Sequence, residues 1–245
     1  MRLPTNSTAL ITGASRGLGF EIARLLAQHR TNLILTARGA KALDQAAQEL
    51  NQHTAVLAIP GDVADPTHAK QLVVAGQERF GQTGILINNA STIGPSPMPR
   101  LESYPLDALT EVLQVNTVAP LHLIQLVLPD MQRRGEGVIV NITSDAALEA
   151  YPGWGGYGAS KVALEHLSRV LAAEVAGSGI RIYTVDPGDM NTQMHRDAEP
   201  GADLSHLPGP EISASAIVQL IERESAPFRR VEALMAMPAA SAGGQ

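Results

Sequence analysis

The chain has 245 residues, of which 44% are hydrophobic and only 3% aromatic, so its core must be built mainly from Ala, Val, Ile and Leu. The net charge is −6, and no run of Lys and Arg forms the basic stripe that a nucleic-acid-binding protein needs. The absence of cysteine excludes disulfides and thiolate metal sites. The first nine residues lack a signal-peptide pattern, and no apolar stretch reaches the roughly 18 residues of a membrane span. We therefore expect a cytoplasmic protein that binds neither nucleic acid nor membrane.

Short apolar runs alternate along the chain with longer amphipathic stretches. Strands are predicted at residues 8–12, 32–36, 55–59, 84–88, 138–142 and 180–185. Helices are predicted at residues 17–29, 40–51, 66–80, 105–114, 116–134 and 157–176. This alternation indicates βαβ units with right-handed crossovers. The predicted fold is a three-layer, doubly wound α/β fold of the Rossmann type, with a parallel sheet and helices on both faces.

The regular pattern stops after Pro187. Residues 189–210 are rich in polar residues, proline and glycine, and they predict a loop or lid. A last helix at 211–224 and a short edge strand at 228–234 follow. We predict one domain, residues 1–238, and a disordered tail, residues 239–245.

A glycine-rich turn, TGASRGLG, joins the first strand to the first helix. Gly13 permits a tight turn, Gly17 leaves room for a pyrophosphate near the backbone, and Gly19 lets the helix pack against the sheet. The helix N-terminus adds free N–H groups and the positive end of its dipole. Because the glycines lie between a predicted strand and a predicted helix, they predict a dinucleotide-binding turn rather than an ordinary one.

The end of the second strand indicates which dinucleotide binds. An NAD site usually has an acidic residue there, but this strand ends in LTAR, residues 35–38. Arg38 would instead pair with the 2′-phosphate of NADP, with Arg16 at the same corner and a hydroxyl from Ser15. The alternative is that Arg38 is an ordinary exposed arginine. We predict NADP(H).

Tyr157 and Lys161 lie four residues apart in the segment YGASK. On a helix they would share one face within about 6 Å. The ammonium would favour the phenolate and lower the phenol pKa from its usual value of about 10, which suits a general acid or base. The neighbourhood supports this interpretation, because small or polar residues follow the carboxyl end of every predicted strand, the edge where open α/β folds bind ligands.

Taken together, these motifs resemble those of the short-chain dehydrogenase/reductase family, in its compact single-domain type, over about residues 7–192. The motifs that carry the resemblance are TGASRGLG, Asp62-Val63, NNA at 88–90, Asn116, Ser144, Tyr157 with Lys161, and Pro187-Gly188 followed by Thr192. The resemblance implies an oxidoreductase that transfers a hydride between NADP(H) and a carbonyl or alcohol carbon.

The resemblance also implies roles for individual residues. Tyr157 would exchange a proton with the substrate oxygen, which Ser144 would hold. Lys161 would lower the phenol pKa and bind the nicotinamide ribose, and Asn116 would hold a water that relays protons to Lys161. The residues implied to contact the cofactor are Gly13, Ser15, Arg16, Gly17, Leu18, Gly19, Arg38, Asp62, Val63, Asn89, Ala90, Tyr157, Lys161, Pro187, Gly188, Met190 and Thr192.

On the substrate side, several alternatives stay open. Ser91 stands where the family commonly has glycine, and its side chain either crowds the cofactor or faces the substrate. Trp154, with Ala146 and Tyr151, forms either ordinary packing or the wall of an apolar substrate pocket. Residues 189–226 are expected to cover the substrate, and the histidines there do not suggest a metal site.

The leading functional interpretation is an NADPH-dependent carbonyl reductase acting on a ketone or a 3-oxoacyl thioester. The alternatives are an alcohol or polyol dehydrogenase running the reverse reaction and a non-catalytic NADP(H)-sensing protein. In the family, the helix that begins near Asn116 and the one that carries Tyr157 pack against their copies. We therefore expect a homodimer or homotetramer.

Overall fold

The structure is a computed structural model that describes Leu3 and residues 7–234, so the predicted tail at 239–245 lies outside the described residues. Seven strands are present: β1 (Thr8–Thr12), β2 (Asn32–Thr36), β3 (Val56–Ala58), β4 (Ile85–Asn88), β5 (Gly137–Ile142), β6 (Ile180–Asp186) and β7 (Phe228–Glu232). They form one parallel sheet in the order β3-β2-β1-β4-β5-β6-β7. The chain reverses direction across the sheet between β3 and β4, so the predicted doubly wound fold is confirmed.

Helices cover both faces of this sheet. They are α1 (Gly17–Gln28), α2 (Ala40–Leu50), α3 (Pro66–Phe80), α4 (Leu106–Leu113), α5 (Ala119–Arg134), α6 (Gly155–Glu174), α7 (Gln193–Ala198) and α8 (Pro210–Arg223). One core joins α1, α2 and α8 to the sheet, and the other joins α3, α5 and α6. In β2, Leu33 and Leu35 belong to the first core and Ile34 to the second. Since successive side chains point to opposite faces, a strand covered on both sides needs a continuous apolar run.

The middle of the chain differs from the sequence prediction. Two separate helices were expected at 105–114 and 116–134, but a π-helical turn, Gln114–Val118, joins α4 to α5 without a break. The joined helix, Leu106–Arg134, is long and apolar enough to cross a membrane, contrary to the expectation from the sequence. Leu123, Val127 and Met131 of this helix are buried in the second core. The helix is therefore apolar because it packs in the core of the protein.

The segment after Pro187 also contains more structure than predicted. Within the expected loop at 189–210, residues Gln193–Ala198 form α7, and the side chain of Thr192 accepts a hydrogen bond from the backbone N–H of His195 at its start. A helix of six residues is too short to produce a readable hydrophobic period. The last strand, β7, occupies the edge of the sheet beside β6, as predicted.

Candidate active site

A groove of about 1030 Å³ runs along the carboxyl edge of the sheet. It is lined by the glycine turn, by the segments that follow β2 to β6, and by α7. Sixteen of the seventeen residues implied to contact the cofactor line this groove; Gly19 is the exception. Ser91, Ser144 and Trp154 line it as well, whereas Asn116 does not. The structure therefore brings together nearly all of the residues that the sequence assigned to one site.

Each of the three glycines in the turn is required for a different structural reason. Gly13 and Gly17 have φ angles of 65° and 60°, in the left-handed region that favours glycine. A Cβ on Gly17 would meet only Thr192, at 3.9 Å, so this backbone faces open groove. A Cβ on Gly19 would lie 2.5 Å from the Asn89 side chain and 2.6 Å from the Gly13 carbonyl oxygen. Gly19 thus allows α1 to pack under the turn, and Gly17 leaves a cradle that fits a dinucleotide phosphate.

Hydrogen bonds from the segment that follows β4 hold the glycine turn in place. Asn89 is expected to contact the cofactor, and in the structure its amide donates hydrogen bonds to the backbone oxygens of Thr12 (2.9 Å) and Gly13 (3.2 Å). The Thr12 hydroxyl accepts from the backbone N–H groups of Asn89 (3.0 Å) and Ala90 (2.9 Å). Thr12 is therefore a positioning residue of the site, and its only sequence signal was its place at the end of β1.

Two arginines of the groove lining are free of ion-pair partners among the described residues. Arg16 and Arg38 both line the groove and are exposed, and neither has a hydrogen-bond or ion-pair partner within the described residues. The backbone N–H of Ala14, in the glycine turn, donates to the Thr36 carbonyl oxygen at the end of β2 (3.1 Å), which ties the two arginine-bearing segments together. Unpaired guanidinium groups in a groove lining suit an anion, because their planar donor sets match phosphate oxygens.

The residues predicted to carry out the proton transfer line the same groove. Tyr157 and Lys161, both on α6, are 8% and 2% exposed. Lys161 Nζ lies 5.3 Å from the centroid of the Tyr157 ring and donates to the Ile142 carbonyl oxygen at the end of β5 (2.9 Å). Ser144, just beyond β5, lines the same groove. The predicted convergence of phenol, hydroxyl and ammonium is therefore present in the structure.

Burial controls the protonation of both groups. It raises the pKa of Tyr157 well above that of free tyrosine; the neighbouring Ser144 and Ser91 hydroxyls act in the opposite direction, and Asp186 and Asp145 raise it further. Burial also lowers the pKa of Lys161 to about 8. The expectation that the phenol pKa is lowered is thus wrong for this structure, because removal from water disfavours the phenolate more than its surroundings favour it. Burial therefore favours the protonated phenol.

Asn116 lies behind the groove and is held by its side-chain amide. It is fully buried in the π-helical turn. Its Oδ1 accepts from the Ser91 hydroxyl (3.0 Å) and the Thr92 backbone N–H (2.9 Å), and its Nδ2 donates to the Thr92 carbonyl oxygen (2.8 Å) and to Ser160 Oγ (2.9 Å). These four bonds fill the hydrogen-bonding capacity of the amide. The side chain therefore positions the segment after β4, and the water that the resemblance implied for Asn116 stays a prediction.

The three residues proposed for an apolar substrate wall surround the phenol unequally. Trp154 packs edge-on against Tyr157, with ring centroids 5.7 Å apart, and Ala146 is buried in the same small cluster. Tyr151 lies farther out, against Trp154, and its hydroxyl donates to Asp145 (2.9 Å). Asp145, which directly follows Ser144, was overlooked in the sequence.

A second cavity of about 380 Å³ adjoins the groove at Asp145 and Trp154. Both His195 and His206 line it, and His195 is within 4 Å of the carboxylates of Asp189 and Glu199. Among the described residues, no group of three or more acidic and histidine side chains is placed to hold a metal ion.

Comparison with known proteins identifies the family. The family model described as short chain dehydrogenase matches residues 7–203. The 2-(R)-hydroxypropyl-CoM dehydrogenase of Xanthobacter autotrophicus is 35% identical over 86% of this chain and 87% of its own length. The ketoacyl reductase HetN of a Nostoc species is 33% identical over 90% of this chain and 77% of its own length.

Solved structures agree with this assignment. The alcohol dehydrogenase from the archaeon Thermococcus sibiricus, complexed with 5-hydroxy-NADP, superposes with a TM-score of 0.82 at 28% identity, over 92% of this chain and 95% of that one. The fold, the site and the matches agree. The chain belongs to the short-chain dehydrogenase/reductase family of oxidoreductases, which use a nicotinamide cofactor.

Proposed function

We propose that the protein is an NADPH-dependent carbonyl reductase that acts on a ketone or a 3-oxoacyl substrate. The observation that carries this proposal is the convergence of Tyr157, Ser144 and Lys161 on one groove. Ser144 would bind the carbonyl oxygen, and Tyr157 would donate its proton to that oxygen. When bound, NADPH would supply the hydride that the carbonyl carbon receives. Lys161 would hold the ribose hydroxyls and stabilise the phenolate that the proton leaves behind.

The preference for NADP(H) is supported by two arginines that line the groove. A ribose 2′-phosphate carries negative charge that an NAD site, with an acidic residue after its second strand, would repel. Here that position is Arg38, exposed and without a partner among the described residues, and Arg16 lines the same groove. The Thermococcus alcohol dehydrogenase, at 28% identity, was solved with an NADP derivative.

The state of the phenol is compatible with reduction. A buried Tyr157 with a raised pKa is protonated at neutral pH, the form that a carbonyl oxygen requires. The alternative is an alcohol or polyol dehydrogenase, in which the same residues catalyse the reverse reaction. Two of the similar proteins are dehydrogenases, which supports this alternative. A non-catalytic NADP(H) sensor is a third candidate, but it would have no use for this arrangement.

The experiment is a set of ketones and 3-oxoacyl thioesters with NADPH, and of alcohols with NADP, followed by NADPH absorbance. The expected result is faster turnover in the reductive direction at neutral pH. Tyr157→Phe should abolish nearly all turnover while NADPH binding, measured by fluorescence, is retained. If Tyr157→Phe turns over as fast as the wild type, the proposal is refuted; if no compound is turned over by the wild type, the sensor is favoured.

We also propose that the protein is cytoplasmic and acts as a homodimer or homotetramer. Its helices α4 to α6 expose apolar side chains, namely Leu106, Val118, Val162 and Val170, which are 42% to 77% exposed. An assembly would cover these side chains. Sedimentation at micromolar concentration tests the proposal, and a monomer would contradict it.

A further inference from the structure

A buried histidine lies behind one part of the groove wall. His68, in the first turn of α3, is 6% exposed, and its Nε2 lies 2.7 Å from the hydroxyl oxygen of Thr36, the last residue of β2. Neither residue lines the groove. The two residues that follow Thr36, the second of which is Arg38, do line it. The imidazole therefore holds this part of the wall from behind.

The same imidazole also lies against the segment that follows β3. A Cβ on Gly61 would collide with the Nδ1 and Cε1 atoms of the His68 ring. The φ angle of Gly61 is outside the left-handed region, so its backbone conformation does not require glycine. The absence of a side chain at this residue is therefore explained by the space that the ring occupies. Gly61 and the two residues after it, Asp62 and Val63, all line the groove.

Backbone hydrogen bonds connect these two segments to each other and to the glycine turn. The Thr36 carbonyl oxygen accepts from the Ala14 N–H (3.1 Å), and the Gly61 N–H donates to the Ala37 carbonyl oxygen (3.1 Å). Each of these bonds joins the segments at a single point. The imidazole adds a rigid, planar group between the Thr36 side chain and the Gly61 backbone, so it fixes how far apart the two segments stand.

We propose that His68 is a positioning residue for the adenosine end of the cofactor. The inference rests on the proposed function, in which Arg38 pairs with the 2′-phosphate, and on the expected contact of Asp62 with the cofactor. Arg38 comes two residues after Thr36, and Asp62 directly follows Gly61, so the imidazole sets the spacing between the two side chains. Because His68 does not line the groove, it acts on cofactor binding through these neighbours and leaves the chemical step unaltered.

A positioning role differs measurably from a purely structural one. A histidine that only satisfies a buried hydroxyl would stabilise the fold, and its loss would lower the melting temperature. The dissociation constant of a cofactor fragment would then be unchanged as long as nearly all molecules are folded. A suitable fragment is adenosine 2′,5′-bisphosphate, the adenosine half of NADP, because it occupies the adenosine end and does not reach the nicotinamide end. Its binding is measured by isothermal titration calorimetry.

The test uses His68→Ala and Thr36→Val, which remove the two partners of the hydrogen bond. Each should weaken the binding of NADPH and of adenosine 2′,5′-bisphosphate about two- to tenfold, and the double variant should be no weaker than the weaker single variant. In all of them kcat at saturating NADPH should stay within about twofold of the wild type, because only binding is affected. His68→Gln, whose amide can replace Nε2, should bind nearly as tightly as the wild type. His53→Ala, at an exposed histidine before β3, is the matched control and should bind both compounds unchanged.

Unchanged affinity for adenosine 2′,5′-bisphosphate in folded His68→Ala and Thr36→Val, or a loss of kcat without a loss of affinity, would overturn the inference. Circular dichroism shows whether each variant is folded; if His68→Ala is not, Thr36→Val decides, because it keeps the shape of the side chain. Titration with 5′-AMP separates this failure from failure of the proposed cofactor. A wild type that binds 5′-AMP more tightly than the bisphosphate contradicts NADP(H), and the same variants should then weaken the binding of 5′-AMP instead.

Discussion

Arg230, on the edge strand β7, is the centre of a partly buried ion network behind the active site. Its Nε lies 3.1 Å from Oε1 of Glu165 on α6, and its Nη2 lies 4.0 Å from Oδ2 of Asp186 at the end of β6. The Arg230 and Glu165 side chains are only 17% and 6% exposed. We predict that Arg230→Met strongly lowers the free energy of unfolding, because it leaves the Glu165 carboxylate buried without its cation.

The size of the loss in unfolding free energy depends on which contacts of Glu165 remain in the variant. Removing one partner of a buried ion pair costs about 3–5 kcal/mol. Glu165 keeps the hydrogen bond that it accepts from the Thr143 hydroxyl (2.8 Å), and Arg230 is not completely buried, so we expect the lower end, about 3 kcal/mol. In the double variant Glu165→Gln/Arg230→Met the buried charge is absent, and about half of the loss should be recovered.

Arg229 provides a matched control on the same strand. Its side chain is 56% exposed, and its ion pair with Glu224 is 3.7 Å long. Arg229→Met should therefore cost less than about 1 kcal/mol. All variants are compared by urea unfolding followed by circular dichroism at one protein concentration. Equal losses for Arg229→Met and Arg230→Met, or no recovery in the double variant, would refute the reasoning.

Three further predictions concern Arg38, Gly19 and His68. Arg38→Asp should weaken NADPH binding, measured by fluorescence titration, at least tenfold more than NADH binding, because it replaces a phosphate partner with a repelling charge. Gly19→Ala should lower the melting temperature and abolish cofactor binding, since its Cβ would lie 2.5 Å from the Asn89 side chain. Burial lowers the pKa of His68 below its ordinary 6.5, so the stability that its neutral form contributes is present above about pH 6.5 and decreases as the pH falls below it.

Each of these predictions has its own control. Equal loss of NADPH and NADH affinity in Arg38→Asp would overturn the cofactor assignment. Gly39→Ala, where the nearest neighbour of a new Cβ is 4.0 Å away, should leave the melting temperature unchanged. For His68, melting temperatures at pH 7 and pH 5 are compared with those of His68→Gln, which should show a smaller decrease; an identical decrease in both proteins would contradict the prediction.

The strands and the glycine turn could be predicted because their signals are local. The sheet is covered on both faces, so its strands are nearly continuous apolar runs, and Gly13 and Gly17 need left-handed backbone that few other residues adopt. Because ligands bind at the carboxyl ends of the strands in such a sheet, the strand positions also predict that Tyr157 and Ser144 lie in one site.

Contacts between distant parts of the chain gave no such signal. Asn116 is bonded to Ser160, 44 residues away, and Arg230 to Glu165, 65 residues away. No period or motif in the sequence connects these pairs. The sequence predicts two separate helices where the π-helical turn carries Asn116. The reason is that the turn shifts the helical period by about one residue.

The same burial that contradicts the predicted pKa of Tyr157 explains how the pair with Lys161 can work. With a lysine pKa of about 8 and a phenol pKa far above it, the resting pair at pH 7 is a neutral phenol beside an ammonium. When the proton leaves Tyr157, a phenolate appears next to that ammonium in surroundings of low polarity, where opposite charges attract strongly. This attraction is absent before proton transfer and develops during it. In the proposed reaction, Lys161 would therefore stabilise the transition state more than the resting site, which is the condition for lowering a barrier.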